Sequence, residues 1–209
     1  MHLFPSAYKK DFAVFKKLNS PAKIQDFIDT IPINFEPDGE TCSSPLTVLK
    51  TNKAHCMEGA LLAAACFWHN GKRPLLLDLK TAKGKDDDHV VALFKEKGFW
   101  GAVSKTNHGV LRYRDPIFKT VRELALSYFN EYFLDSGIKT MRSYSAPFSL
   151  LQYDDDWLVS EDGLWQVPED LDDSRHFKIL PHGFSKRLRA ADAVEIEAGK
   201  LTQWKPKAR

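Results

Sequence analysis

Asn52-Lys53-Ala54-His55-Cys56-Met57-Glu58-Gly59-Ala60-Leu61-Leu62-Ala63-Ala64-Ala65-Cys66-Phe67-Trp68 is the stretch whose reading decides this chain. From Gly59 to Trp68 it is apolar on every side, and a helix with no polar face is a buried one. Its small residues let a neighbouring backbone approach closely. Asn70-Gly71 closes the run in the manner of a left-handed C-cap. The polar residues ahead of it make Cys56 a thiol at the entrance of a buried helix.

Upstream the pattern is helical. Tyr8 to Leu18 carries Phe12, Phe15 and Leu18 on one face. Ser20-Pro21 supplies an N-cap and a proline at the first helical position, and Ile24, Phe27, Ile28 and Ile31 follow at helical spacing as far as Pro32. Pro37, Asp38 and Gly39 make 34–44 a loop, after which Ser44-Pro45 opens a short helix with Leu46, Val48 and Leu49. Downstream the pattern turns to β. Pro74 to Leu79 reads as a strand and 80–88 as a polar loop. His89 to Phe94 is a strand, Gly98 a turn, and Trp100 to Lys105 a partner strand. Asp115-Pro116 predicts the start of a further helix bearing Val121, Leu124, Ala125, Tyr128 and Tyr132. Beyond Gly137, Leu150 to Tyr153, Trp157 to Ser160, Leu164 to Val167 and Phe177 to Leu180 read as short strands around Asp-rich and Gly turns. Helices, a buried helix, a meander of strands and more helix make an α+β fold, not an alternating βαβ one. The expected organisation is one domain over 1–209, with a core at about 20–135 and a β-rich C-terminal extension at about 137–209.

Composition narrows the function. A net charge of +2 with mixed signs argues against a nucleic-acid binder, which needs clustered cations to neutralise phosphates. The basic stretch Lys200 to Arg209 reads as a solvated tail. No run of apolar residues is long enough to span a membrane, and the N-terminus lacks the pattern of a signal peptide. The three cysteines are odd in number and irregularly spaced, so neither a disulfide framework nor a metal knuckle is indicated, and a reducing, cytoplasmic setting is expected.

The chemistry lies with Cys56. A thiol attacks an acyl carbon only as the thiolate, and its free pKa of about 8.5 must first be lowered. A helix N-terminus does this through its dipole and unpaired N–H groups, and a neighbouring imidazole does it by ion pairing. Cys56 has the first, and His89, at the head of the next apolar strand but one, is positioned in sequence to supply the second and to protonate a leaving group. A third polar group normally orients such an imidazole.

The Cys56 helix, the Gly71 turn, the strand after it, the His89 strand and the Trp100 strand resemble the transglutaminase-like domain, a branch of the papain-like cysteine hydrolase superfamily. The resemblance runs from about Leu46 to Lys105, with the preceding helices in the place of that fold's N-terminal lobe. It implies N-terminal helices and a buried central helix packed on an antiparallel sheet, with Cys56 as nucleophile and His89 as its base. The family commonly has an Asp four residues after a Trp on the strand following the His. Here Trp100 is followed at that distance by Ser104. Asn107 ranks first as the orienting group on chemistry, Ser104 first on register, and Asp115 third, since it also reads as a helix cap. The backbone N–H of Cys56 and the side chain of Asn52 are the candidate oxyanion donors, Asn52 being equally readable as the cap of the same helix.

The remaining candidates read as structural. Cys66 lies in the apolar run and Cys42 in a loop. His55 adjoins the thiol, but a neighbouring helix position points elsewhere around the axis. Glu58 reads as solvent-facing or as a first-turn cap. Asp86-Asp87-Asp88-His89 lacks an EF-hand pattern and reads as a solvated acidic turn. No metal and no cofactor is expected. The function this implies is a thiol hydrolase or acyltransferase acting on an amide or ester carbonyl of a peptide or small amide substrate. The alternative, motivated by the Ser104 departure, is a binding or scaffold module that kept the fold and lost catalysis. The long segment 137–180, rich in aromatics and acidic turns, is expected to wall the cleft.

Overall fold

In the computed structural model, which describes residues 3–206, Ser20 Oγ accepts the Lys23 N–H at 3.3 Å and Ser44 Oγ accepts the Thr47 N–H at 3.3 Å. These caps open α1 (Pro21–Thr30) and α2 (Pro45–Thr51), each with proline in its first turn. The apolar run forms α3 (Cys56–His69), in which every residue from Met57 to Trp68 is buried. Gly71 ends it with a φ of 77°, a conformation that glycine adopts without steric cost. No helix among the described residues is long and apolar enough to cross a membrane.

Three strands follow in a meander: β1 (Leu75–Thr81), β2 (His89–Glu96) and β3 (Phe99–Ser104). β4 (Arg114–Phe118) adds to β3, and α4 (Val121–Phe129) crosses behind. β5 (Met141–Ser145) and β6 (Phe148–Ser149) pair with the two ends of β1, and β7 (His176–Lys178) pairs with β5. All pairings are antiparallel, in the order β4-β3-β2-β1-β5-β7, so the fold is α+β with one seven-stranded sheet among the described residues. Successive strand residues face opposite sides. Leu76, Val90, Ala92, Phe94 and Val103 pack in the core that holds α3. Leu77, Leu79, Val91, Leu93 and Ala102 pack in the core that holds α4 through Leu124, Ala125 and Tyr128.

Lys105, at the end of β3, lies fully inside the molecule. Its ammonium donates to the carbonyls of Ile28, at 3.2 Å, and of Ile31, at the C-terminal end of α1. Burial pulls that ammonium down to about 8. The stem reaches there by crossing α3 at Gly59, where an added Cβ would collide with Lys105 Cβ. Gly59→Ala gains about 1 kcal/mol of helix propensity. Overpacking against a side chain pinned at both ends costs more, about 1–3 kcal/mol. A net loss of stability is therefore expected, read as a lower urea midpoint. An unchanged or raised midpoint would show that Lys105 moves aside freely.

Four expectations are corrected. Residues 8–18 form 3-10 turns rather than an α-helix, with Phe12 and Phe15 stacked at 4.9 Å and Phe4 against Trp68 at 5.6 Å; this aromatic cluster, not helical periodicity, sets the path. Asp115 and Pro116 lie in β4, not at a helix start. β4 is an edge strand, where proline's missing N–H costs no ladder bond, and α4 is capped by Thr120, whose Oγ1 accepts the Glu123 N–H at 3.1 Å. Residues 150–158 are 3-10 turns and 166–173 form α5 (Gln166–Asp173), not strands. Trp157 and Leu158 bury side by side, with Trp157 stacked on Trp68 at 6.1 Å, and Val167 and Leu171 bury four apart, spacings that period-two alternation cannot serve. Lys200 to Pro206 is docked, not a free tail: Gln203 N–H donates to Asn107 O at 2.9 Å and Gly109 N–H to Leu201 O at 2.8 Å. The last residues of that basic stretch, 207–209, lie outside the described residues.

Candidate active site

The chain enters α3 under tight control. Ile33 and Ala54 form an isolated parallel bridge, with Ala54 N–H donating to Pro32 O at 3.1 Å. His55 is then the N-cap in extended conformation. Its ring Nε2 donates to Thr41 O at 2.8 Å, and its Nδ1 accepts the Met57 N–H at 3.3 Å. Glu58, fully buried, closes the first turn. Its carboxylate accepts from His55 N–H at 3.0 Å, Ser43 N–H at 3.0 Å, Thr41 Oγ1 at 2.8 Å and Asn34 Nδ2 at 3.3 Å. Cys56 is the first residue of the helix, and its own N–H has no hydrogen-bond partner among the described residues. That is a donor available to an oxyanion.

His89 is presented by a turn in which the carboxylates of Asp86 and Asp88 bond to neighbouring segments. Asp88 Oδ1 accepts the Thr81 N–H at 2.6 Å, Asp86 Oδ2 accepts from Thr140 Oγ1 at 2.6 Å, and the Tyr132 hydroxyl donates to Asp87 O. The turn is thus hydrogen-bonded into the fold through Asp86 and Asp88, while Asp87 and Asp88 remain exposed to solvent as expected. His89 is buried, with Nε2 2.8 Å from Ser104 Oγ. The Ser104 hydroxyl donates to Leu111 O at 2.5 Å, so its oxygen can only accept from the imidazole. This places the ring proton on Nε2 and leaves Nδ1 unprotonated. Ser104 is itself clamped by Gln25 of α1, whose Oε1 accepts Ser104 N–H at 2.9 Å and whose Nε2 donates to Ser104 O at 2.8 Å.

The three thiols differ sharply. Burial pushes Cys42 and Cys66 up to about 12. Burial also raises Cys56, but the influence of the neighbouring imidazoles of His55 and His89 outweighs it and brings the thiol down to about 5. His55 responds in kind: burial would lower it, yet the Cys56 thiolate and the Glu58 carboxylate raise it to about 9. A protonated His55 surrenders its acceptor bond to Met57, so the charge settles there only when the thiolate is present to compensate it.

Cys56 and His89 line one cavity of about 820 Å³, within the size range of small-molecule and peptide side-chain sites. Ser104 stands behind His89. Asn107 lines the same cavity, but both ends of its amide are taken by Trp204, Oδ1 accepting Trp204 N–H at 2.8 Å and Nδ2 donating to Trp204 O at 3.1 Å. Asp115 is exposed on the edge strand. Asn52 is exposed at the C-cap of α2 with a φ of 51°, outside the cavity lining and not the cap of α3. The segment 137–180 contributes nothing to the lining; the walls come from 86–89, 105–111, 131–136 and 196–200. Sequence reasoning missed Gln25 and the role of His55; of the two readings of Glu58 the first-turn cap is the one observed, buried rather than facing solvent. The S/T/D/N-x-x-E capping signature was present with His in the cap position, and that substitution concealed it.

No family model matches this sequence and no curated protein matches it, so a functional reading rests on the geometry of the site.

Proposed function

We propose that this chain is a transglutaminase-like thiol hydrolase or acyltransferase of papain-like architecture, with Cys56 as nucleophile. The observation that carries this reading is the relay Gln25–Ser104–His89. It fixes the imidazole with its free Nδ1 available to the one thiol whose pKa is depressed.

His89 Nδ1 takes the proton of the Cys56 thiol, and the resulting thiolate adds to the carbonyl carbon of an amide or ester, forming the C–S bond and moving the carbonyl π pair onto oxygen. The unpaired Cys56 N–H receives that oxyanion. Collapse re-forms the carbonyl and expels the amine or alcohol, which takes a proton from His89. Water or a second amine, deprotonated by His89, then attacks the thioester and returns the thiolate. Ser104 is a positioning residue: it bears no charge, so it holds the ring orientation without stabilising an imidazolium as a carboxylate does.

The test is acyl-enzyme trapping. Incubation with a p-nitrophenyl ester is expected to give a nitrophenol burst and an acyl mass on the Cys56 peptide, absent in Cys56→Ala. Ser104→Ala should lower kcat by about 10–100-fold with KM little changed, part of the general acid–base contribution of about 10²–10⁴. An unacylated Cys56 and no turnover of esters or amides would leave the chain a binding or scaffold module of this fold.

A further inference from the structure

Asp78 sits in the middle of β1 and is 3% exposed. Its Oδ2 faces His176 Nε2 at 3.0 Å, and the other ring nitrogen of His176 donates to Ser174 O at 2.7 Å, so the ring is held from both sides. That contact orients the carboxylate and leaves Oδ1 buried and without a hydrogen-bond partner among the described residues. A buried carboxylate oxygen with nothing to accept from is costly, and a bound ion is one partner that would satisfy it.

Two further carboxylates converge on the same place. Ligand atoms of Asp78, Asp88 and Asp172 lie within 4.8 Å of one another, the mutual separation of oxygens around a single cation. Asp88 uses Oδ1 for Thr81 N–H and Oγ1–H, at 2.6 and 3.0 Å, which leaves its second oxygen available. Asp172 belongs to α5, and its side chain is 56% exposed, so the site opens to solvent on that side. We infer that Asp78, Asp88 and Asp172 form a binding site for a hard, oxygen-preferring divalent cation. The positive charges there are otherwise His176, which donates to Asp78 and to Ser174 O, and Lys80, which pairs with Asp172 and would have to give way to the cation.

The site differs from a reading of Asp86-Asp87-Asp88-His89 as a linear metal motif. It shares only Asp88 with that stretch and draws its other ligands from β1 and α5, which no sequence spacing brings together. A cation there would tie α5 to β1 and to the turn that presents His89. The inference stands apart from the thiol chemistry, since it concerns binding and is read without any acyl substrate.

Manganese(II) is the probe, titrated into chelator-stripped full-length protein and followed by the loss of the free-ion electron paramagnetic resonance signal. One saturable site is expected, with a rise in Tm on saturation. Asp172→Asn, on an exposed side chain that leaves the core intact, should weaken binding by about tenfold or more. Lys80→Met, which removes the competing ammonium, should tighten it. Absence of saturable binding in both wild type and Lys80→Met overturns the inference, as does binding that Asp172→Asn leaves unchanged.

Discussion

Alkylation of Cys56 by iodoacetamide at pH 5.5 is expected to fall about fifty-fold when His55 and His89 are both replaced by alanine. The thiol is held at about 5 only because two imidazoles outweigh the effect of burial. Without them its pKa returns at least to the ordinary value of 9.0. At pH 5.5 the thiolate fraction then drops by about 3.5 orders of magnitude, while the higher-pKa thiolate regains about 1.8 orders in intrinsic nucleophilicity, so the first effect wins by about fifty-fold. The gap closes toward neutral pH, which makes the acid side of the profile the informative one. Cys42 and Cys66, held at about 12 by burial, serve as silent internal controls in the folded protein. The single variants separate the partners: His89→Ala removes the imidazole inside the cavity, and His55→Ala also removes the helix cap. A rate profile with its inflection still near pH 5 in the double variant would falsify the two-imidazole account.

Replacing Glu58 with alanine is expected to lower stability by about 3–5 kcal/mol, the range for breaking a buried, charge-assisted network from one side. Glu58 is fully buried and accepts from four donors, which tie the 34–43 loop to the start of α3. Alanine strands those donors and leaves a void. Glutamine keeps the volume and one acceptor oxygen, so it should cost less than alanine. The pH dependence has a definite sign. Burial raises the Glu58 pKa, but the His55 charge and the N–H bonds prevail and hold it below the ordinary carboxylate value. The stability it contributes is therefore fully present above the unfolded pKa of about 4.3 and is lost as pH falls through the lower folded value. Urea midpoints measured from pH 7 down to pH 3 should show a steeper acid loss in wild type than in Glu58→Gln. A Glu58→Ala cost under about 1 kcal/mol would mean that the loop rearranges to satisfy its own donors.

The legible parts of the chain were those governed by local rules. Ser20-Pro21 and Ser44-Pro45 announce helix entrances because a side-chain oxygen and a preset φ act within one turn. The run from Gly59 to Trp68 announces a buried helix because no face of it tolerates water. Asp115-Pro116 misled because a proline that opens a helix also fits an edge strand, and only the neighbour decides which. His55 misled for a related reason. Helical spacing sends adjacent side chains around the axis, but an N-cap residue is extended and does not obey that spacing. Its ring folds back over the first turn, toward the thiol next to it.

Apolar patterning and capping residues thus sufficed for the α+β class, the buried helix and the placing of Cys56 at its entrance, since each depends on side chains within a few residues of one another. Which group holds His89 was undecidable at that level. Ser104 and Asn107 are three residues apart and similar in chemistry, and the choice turns on partners far away in the chain. Leu111 O fixes the Ser104 hydroxyl, Gln25 fixes its backbone, and Trp204 occupies both ends of Asn107. Hydrogen bonds are short-ranged and directional, so such assignments exist only once the folded chain has brought α1, β3 and the C-terminal segment together around the thiol.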